Sequence, residues 1–298
     1  LAETLEAIQR QIDTLEDLNS IVRSMKALAA VNIRQYQEAV RALREYNNTV
    51  DMGFQILLRQ GMQRFETEQP LPEAPVGLVV FGSDQGLCGQ LNERVAEEAQ
   101  RAMATRASED AAWRILAMGE RVEAALRHEG HEVHDTFTLP SSRKGITGKV
   151  DDVISLLERW RMEHGTERVL IAYSRYESGS TYKPFYHQLL PFDWDRVRSL
   201  HDEPWPTSCL PQYTADTDAL LAALVHQYLF IGLYQAFADS LASENASRLA
   251  AMQRAEKNLD ERLDNLVQEN HQQRQRKISE ELLDIVSGFT ALRKKKSD

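Results

Sequence analysis

Residues 218–292 contain no proline and almost no glycine, and their apolar side chains return every three or four positions. Leu221, Leu224, Tyr228, Ile231, Leu249, Met252, Leu259, Leu263, Leu266, Ile278, Leu282 and Ile285 mark that rhythm, which predicts one long amphipathic helix. At 1.5 Å per residue it would run ~110 Å, several times the diameter of a compact domain. Such a helix cannot bury its stripe in its own globule and needs a partner alongside.

The other end of the chain supplies one. Leu5, Ile8, Ile12, Leu15, Val22, Ala29, Ile33, Tyr36, Val40, Leu43, Val50, Phe54 and Leu57 follow a seven-residue repeat, interrupted only by Asn19, Lys26 and Asn47. A strict heptad implies a left-handed coiled coil, and isolated polar residues in the seam set register at some cost in stability. The two ends are therefore expected to pair as an antiparallel hairpin with the remaining chain inserted between them. Roughly 58 residues face roughly 75, so the C-terminal helix should overshoot as a single strand by on the order of 20 Å.

Between the helices the pattern changes. Pro70, Pro72 and Pro75 mark a linker, and Val76–Phe81 is a continuous apolar run that reads as a buried strand. A glycine-containing turn, residues 82–89, leads into a helix over 92–105. Strands over 113–118, 131–137 and 168–174 alternate with helices over 120–128 and 150–164, which implies crossover units and a mostly parallel sheet. Residues 182–191 alternate weakly and read as an antiparallel edge strand. Pro204, Pro206 and Pro211 mark a second linker. The expected organisation is a coiled-coil helix (1–60), a linker (61–75), an α/β domain (76–191), a linker (192–217) and a coiled-coil helix with a basic tail (218–298). The fold class is α/β plus a long antiparallel coiled coil, a Rossmann-like, mostly parallel sheet being inserted between the terminal helices.

Composition narrows the function. A net charge of −10 argues against nucleic acid as the main partner, because phosphate binding relies on lysine and arginine. Arg274, Arg276 and Lys277 form one basic cluster and residues 293–296 another, the latter read as a solvated tail. Cys88 and Cys209, far apart, give neither a disulfide framework nor a metal spacing, so a reducing compartment is expected. No apolar run is read as long enough to cross a bilayer, and residues 1–8 already belong to the helix, so no secretory segment is expected.

Chemistry is sparse. The turn Gly82-Ser83-Asp84-Gln85-Gly86-Leu87-Cys88-Gly89 lies between strand and helix, where phosphates often bind, but matches neither dinucleotide nor P-loop spacing and has no following lysine. Cys88 reads as a small buried thiol rather than a nucleophile. His128, His131 and His134 invite a metal reading, yet His131 and His134 would point to opposite faces of a strand, and no further ligands complete a site. Glu281 and Asp284 share a helix face but occupy no cleft that would raise a carboxyl pKa. No catalytic residues, cofactor or metal are assigned.

Three motifs resemble the γ subunit of F-type ATP synthases, the central rotor stalk. Ile21, Met25, Lys26, Ala29, Ala30, Ile33 and Arg34 match its I-x-x-x-M-K-x-x-A-A-x-x-L-R helix, and residues 83–92 (SDQGLCGQLN) match its S-D-R-G-L-C-G-x-x-N turn. Residues 241–252 and 274–288 resemble L-A-S-E-x-A-x-R-M-x-A-M and R-Q-A-x-I-T-x-E-I-x-E-I-V-x-G-A. Gln85, Ser279, Phe289 and Asn32 depart from the arginine, threonine, alanine and lysine usual there. The resemblance implies a non-catalytic subunit that threads a ring of α and β subunits, meets the ε subunit and the membrane c-ring at its foot, and couples ion flow to ATP synthesis or hydrolysis on β. It implies that Met25 and Lys26 face the β lever loop, that Arg274 and Gln275 engage another β loop, and that Ser279 and Glu281 lie in an upper contact. Tyr213 corresponds to the foot near the c-ring. The implied location is peripheral, on the cytoplasmic face of a bacterial inner membrane, reached only through partners. Two other classes fit the pattern: a nucleotide-binding Rossmann-like enzyme dimerised by its helices, which nucleotide titration would reveal, and a coiled-coil scaffold, which would not co-purify with α, β and ε.

Overall fold

The structure is a computed structural model that describes residues 2–59, 74–106, 112–205, 208–209 and 212–294. Most of the first linker with Pro70 and Pro72, then Pro206, Pro211, the tail beyond 294, and the side chains of Asp284 and Phe289 lie outside the described residues. Helix α1 spans Ala2–Arg59 and helix α6 spans Thr217–Lys294. Every position of the seven-residue seam in α1, the polar Asn19, Lys26 and Asn47 included, is buried or half-buried. The chain divides into two units, residues 1–28 with 250–298, and residues 29–249.

The larger unit holds a 5-stranded sheet of order β3-β2-β1-β4-β5. Strands β1 (Val76–Phe81), β2 (Trp113–Met118), β3 (Asp135–Phe137) and β4 (Arg168–Ser178) are parallel, and β5 (Thr181–Leu190) returns antiparallel at the edge. Helices α2 (Leu91–Arg106), α3 (Glu120–His128) and α4 (Ile146–His164) are the crossovers. Strand β1 is apolar throughout because both of its faces are covered. Val79 and Phe81, with Leu116, Met118, Ile171 and Tyr173, pack against α4 and against Leu233, Phe237 and Leu241 of α6, with Tyr36 and Ala39 of α1. Leu78 and Val80, with Ile115, Ala117, Leu170 and Ala172, pack against Val95, Ala96 and Ala99 of α2 and Val122 and Leu126 of α3. Phe237 meets Phe81 edge to face at 4.9 Å and 83°, a favoured aromatic geometry.

A third cluster joins Leu43, Val50, Phe54 and Leu57 of α1 to Leu224 and Ile231 of α6 and to Phe192, Val197 and Leu200. These last residues flank or lie in α5 (Trp194–Ser199), whose first turn is capped by Asp193, the carboxylate accepting from the Arg196 N–H at 3.0 Å. Two expectations need correction. The third strand does not begin at His131: the His131 N–H closes the end of α3 on the Leu126 carbonyl, and Gly130 turns with φ +88°, so only residues 135–137 extend along β2. His131 and His134 therefore do not alternate on a strand. Second, α6 does carry an 18-residue stretch of mean hydropathy 1.4, long and apolar enough by composition to cross a bilayer. No charged side chain occurs between Asp218 and Asp239. Leu224, Ile231, Leu233, Ala236 and Phe237 from this part of α6 are buried against α1 and the sheet, and Leu221, Val225, Tyr228, Leu229 and Phe230 pack partly buried beside them.

In the smaller unit, α1 and α6 run antiparallel, as contacts from Gln9 to Asn270, Asn19 to Asp260 and Arg23 to Glu256 show. Ile8 and Ile12 are each 6% exposed in the seam. Further along α6, Ile278, Leu282, Leu283, Ile285 and Val286 are between 51 and 64% exposed. That is the overshoot which the unequal helix lengths predict.

Candidate functional site

In an open parallel sheet, ligands bind outside the carboxyl ends of the strands where the order reverses, here between β1 and β4. The turn after β1 occupies that place, and it is built around Asn92 on α2. The Asn92 carboxamide oxygen accepts from the Ser83 N–H at 2.9 Å, while its NH2 donates to Ser83 Oγ at 3.0 Å. Ser83 Oγ in turn donates to the Gln85 carbonyl at 2.8 Å. Asp84 accepts from the N–H of Leu139 at 2.8 Å and of Glu120 at 3.2 Å, tying the turn to the start of α3. Gly82 is required because a Cβ there would lie 2.3 Å from Val122 Cβ and 2.5 Å from the Asn92 oxygen.

Helix α6 fills the crevice that a ligand would need. Ser243 Oγ donates to the Ser174 carbonyl on β4 at 2.8 Å, and Ser247 Oγ donates to the Cys88 carbonyl of the turn. Arg248 reaches the Glu244 carboxylate at 2.6 Å and the Gly86 carbonyl at 3.4 Å. Burial pushes the Glu244 carboxyl up from its ordinary range, opposed by the Arg248 guanidinium. Cys88 is 2% exposed and burial raises its thiol, as expected of an inert thiol. The arrangement clasps α6 to the sheet on one side of the turn, and on the other an open cavity lies between Gly86, Leu87, Gly89 and Asn92 and the α3 residues Arg121 and His128.

A second set of perturbed groups lies where α6 meets the β4–β5 hairpin. Burial raises the Asp239 carboxyl to about 6, against the lowering influence of Gln235, Arg175 and Arg44. His187, with its ring near those of Tyr173 and Phe185, is lowered to about 4 by burial and then by Arg175. Perturbed groups can mark active sites. These sit in a packed layer.

The residues singled out by the γ-subunit resemblance are not brought together. Met25 is half-buried, and Lys26 donates to Glu256 of α6, which Arg23 also contacts at 3.2 Å. The Lys26 hydrogen bond holds Glu256 below the usual carboxylate range despite some burial. Arg274, Gln275, Ser279 and Glu281 are all exposed on α6, and Ser279 Oγ caps back onto the Gln275 carbonyl at 3.0 Å. Gln275 lies about 28 Å along the helix from Glu256, at 1.5 Å per residue. Tyr213, in the larger unit, is half-buried against the third cluster, its hydroxyl 3.2 Å from Thr217 Oγ1. Sequence reading missed Glu256 and Asp260 as partners of the polar seam. Their one-turn spacing was visible, but which helix face they meet is settled only by packing.

Comparison with known proteins completes the assignment. A family model described as ATP synthase matches residues 4–292. The chain is 28% identical over 294 residues to an ATP synthase gamma chain of Actinobacillus pleuropneumoniae, covering 96% of this chain and 98% of the relative. It is 23% identical over 296 residues to that of a Nitratiruptor species, covering 97% and 99%. Among solved structures, it superposes on a chain of the Euglena gracilis mitochondrial ATP synthase with a TM-score of 0.67 at 16% identity, covering 100% of this chain and 97% of that one. A chain from the central stalk and c-ring structure of the Tetrahymena thermophila mitochondrial ATP synthase gives 0.57 at 20% identity, covering 79% of this chain and 99% of that one. With the family matched from residue 4 to residue 292, the chain belongs to the ATP synthase γ-chain family, whose members form the non-catalytic central rotor stalk of the F-type enzyme.

Proposed function

We propose that this chain couples ion flow through a membrane c-ring to ATP synthesis or hydrolysis by turning inside an α/β hexamer, with the exposed end of α6 as its main grip on that hexamer. The observation that carries this reading is the row Ile278, Leu282, Leu283, Ile285 and Val286, between 51 and 64% exposed on a helix whose residues 231–247 are largely buried. Exposed apolar rows of this kind mark protein contacts. Residues 1–60 and 218–298 act as the stalk, and residues 76–191 as the foot domain.

On this reading Arg274, Gln275, Ser279 and Glu281 meet β subunits from the solvated face of α6, and Met25 does so from α1. Lys26 makes such a contact only while sharing its ammonium with Glu256. Tyr213 contributes through the packing of the turn before α6, near the ε subunit and the c-ring. The complex sits peripherally on the cytoplasmic face of the bacterial inner membrane, and the apolar stretch of α6 stays within the folded unit.

The test is reconstitution. The folded chain added to a γ-depleted complex should restore coupled turnover while hydrolysing no ATP alone. A chain ending after Arg276 should keep its α/β fold and lose coupling. Failure of the folded full chain to bind α and β subunits would refute the reading.

A further inference from the structure

The two helices of the smaller unit turn unlike chemistry outward at the same height. Asn19 donates to Asp260 at 2.6 Å and Arg23 to Glu256 at 3.2 Å, so residues 18–28 of α1 lie level with residues 251–262 of α6. Every exposed residue of α6 over that range is polar, with Arg254, Lys257, Asp260, Glu261 and Arg262 among them. On α1, Leu18, Ile21 and Leu28 are 44%, 56% and 64% exposed. With the half-buried Met25 they follow a spacing of three, four and three residues, which places all four on one helix face.

This face is not the seam. Leu15, Asn19, Val22 and Lys26 are the seam positions here, and they are already buried or half-buried against α6. The outer row is apolar surface left over once the two helices have packed.

Charge is missing from it as well. Residues 18–28 contain two charged side chains, Arg23 and Lys26, and both are committed inside the chain. Lys26 donates to Glu256, while Arg23 is shared between Glu256 and Asp260, at 3.2 Å and 3.7 Å. On the turns just before, Arg10, Asp13, Glu16 and Asp17 are all exposed. A helix face that stays in water carries charges of that kind, so a break in them filled by leucine and isoleucine is the footprint of an apolar contact. A central rotor stalk is surrounded by the catalytic subunits it turns among, and they are the surface available to cover the row.

We propose that Leu18, Ile21, Met25 and Leu28 form a one-sided apolar bearing, covered by an apolar segment of one hexamer subunit at a time, while the charged α6 face at the same height stays in water. This rests on the rotor reading above and adds the chemistry of a second contact, separate from the row Ile278 to Val286. A shaft with unlike sides meets the repeated subunits around it differently at each angle. Only a contact that differs between angles can favour one state of a site over another.

Thiol labelling before and after assembly tests it. In a Cys209→Ser background, which leaves only the buried Cys88, single reporters are introduced as Ile21→Cys or Lys257→Cys. Both should react quickly with a maleimide in the free chain. In the complex with α and β subunits, position 21 should slow by about tenfold or more and position 257 by no more than about twofold, because access governs thiol reactivity. Replacing Leu18, Ile21 and Leu28 together by serine should weaken binding to α and β by about tenfold or more, at ~0.5 M salt as at ~0.05 M, since an apolar contact is not screened. Arg254→Gln with Lys257→Gln should leave binding within about twofold. Equal slowing of both positions would overturn the proposal, because the hexamer then encloses the stalk evenly. Fast labelling of position 21 in the assembled complex would overturn it too, as would slow labelling in the free chain, which assigns the face to a second copy. A free chain that labels as expected but never binds α and β fails the rotor reading itself, and the proposal falls with it.

Discussion

The same two helices meet in both units, yet the contacts that hold them differ in kind. In residues 29–249, α6 buries Leu233, Phe237 and Leu241 at 0–4% exposure in a layer shared with the sheet and α4. In residues 1–28 with 250–298, the seam carries Asn19 and Lys26, answered by Asp260 and Glu256. Large apolar side chains from three elements make up the first contact, whereas in the second polar pairs are interspersed among Ile8, Ile12, Leu15 and Val22.

The contrast can be broken most severely at Phe237. Phe237→Ala removes a side chain with 0% exposure and its edge-to-face contact with Phe81. It should cost about 3–5 kcal/mol, read as a fall in the denaturant midpoint with the slope unchanged. A loss under about 1 kcal/mol would mean that the layer repacks and the contrast is overstated.

Next in size is Asp239, a buried carboxylate of α6 with a pKa of about 6. Because the folded value lies above the ordinary 3.8, the cost of ionising it is absent below pH 4, grows between pH 4 and 6 and is complete above 6. Stability should therefore fall as pH rises through that window. Asp239→Asn should stabilise the chain by about 2–3 kcal/mol at pH 8 and leave it unchanged at pH 4, by melts at the two values. His187 works in the opposite sense: its folded value of about 4 withdraws stability as pH falls from 6.5. Comparing variant with parent at each pH cancels that contribution.

The smallest effect is expected in the other unit. Leu282 is 57% exposed, so Leu282→Ser should move the melting of the free chain by no more than about 0.5 kcal/mol. On the proposed function the same change weakens association with α and β subunits. A large loss in the free chain would show that α6 packs where it is described as exposed.

Much of this was legible in the residues. The seven-residue repeat of α1 runs from Leu5 to Leu57 with only Asn19, Lys26 and Asn47 interrupting it, and the structure buries or half-buries every seam position. Strand β1 was readable because a strand covered on both faces is apolar throughout, and β2 because its Ile115–Met118 run is. Residues 131–134 misled because the alternation His131, Val133, Asp135, Phe137 imitates a strand, whereas Gly130 and the end of α3 use the first of them to close a helix. Helix α5 was hidden among prolines. The clasp of Ser243 and Ser247 on the sheet and the pairing of Lys26 with Glu256 could not be read, because each joins residues that periodicity treats independently. The exposed residues Arg274, Gln275, Ser279 and Glu281 were named as partner contacts from motif likeness alone, since a solvated helix face carries no local signal of what covers it.

Hydrogen exchange along α6, with and without α and β subunits, tests the account most directly. In the free chain, amides over residues 278–286 should exchange fast and those over 233–242 slowly, because helical stability comes chiefly from packing of a buried face. On assembly with α and β, residues 278–286 should become protected while 233–242 stay as they were. Unchanged exchange over 278–286 in an assembled complex would contradict the claim that this end of the helix is the grip of the rotor.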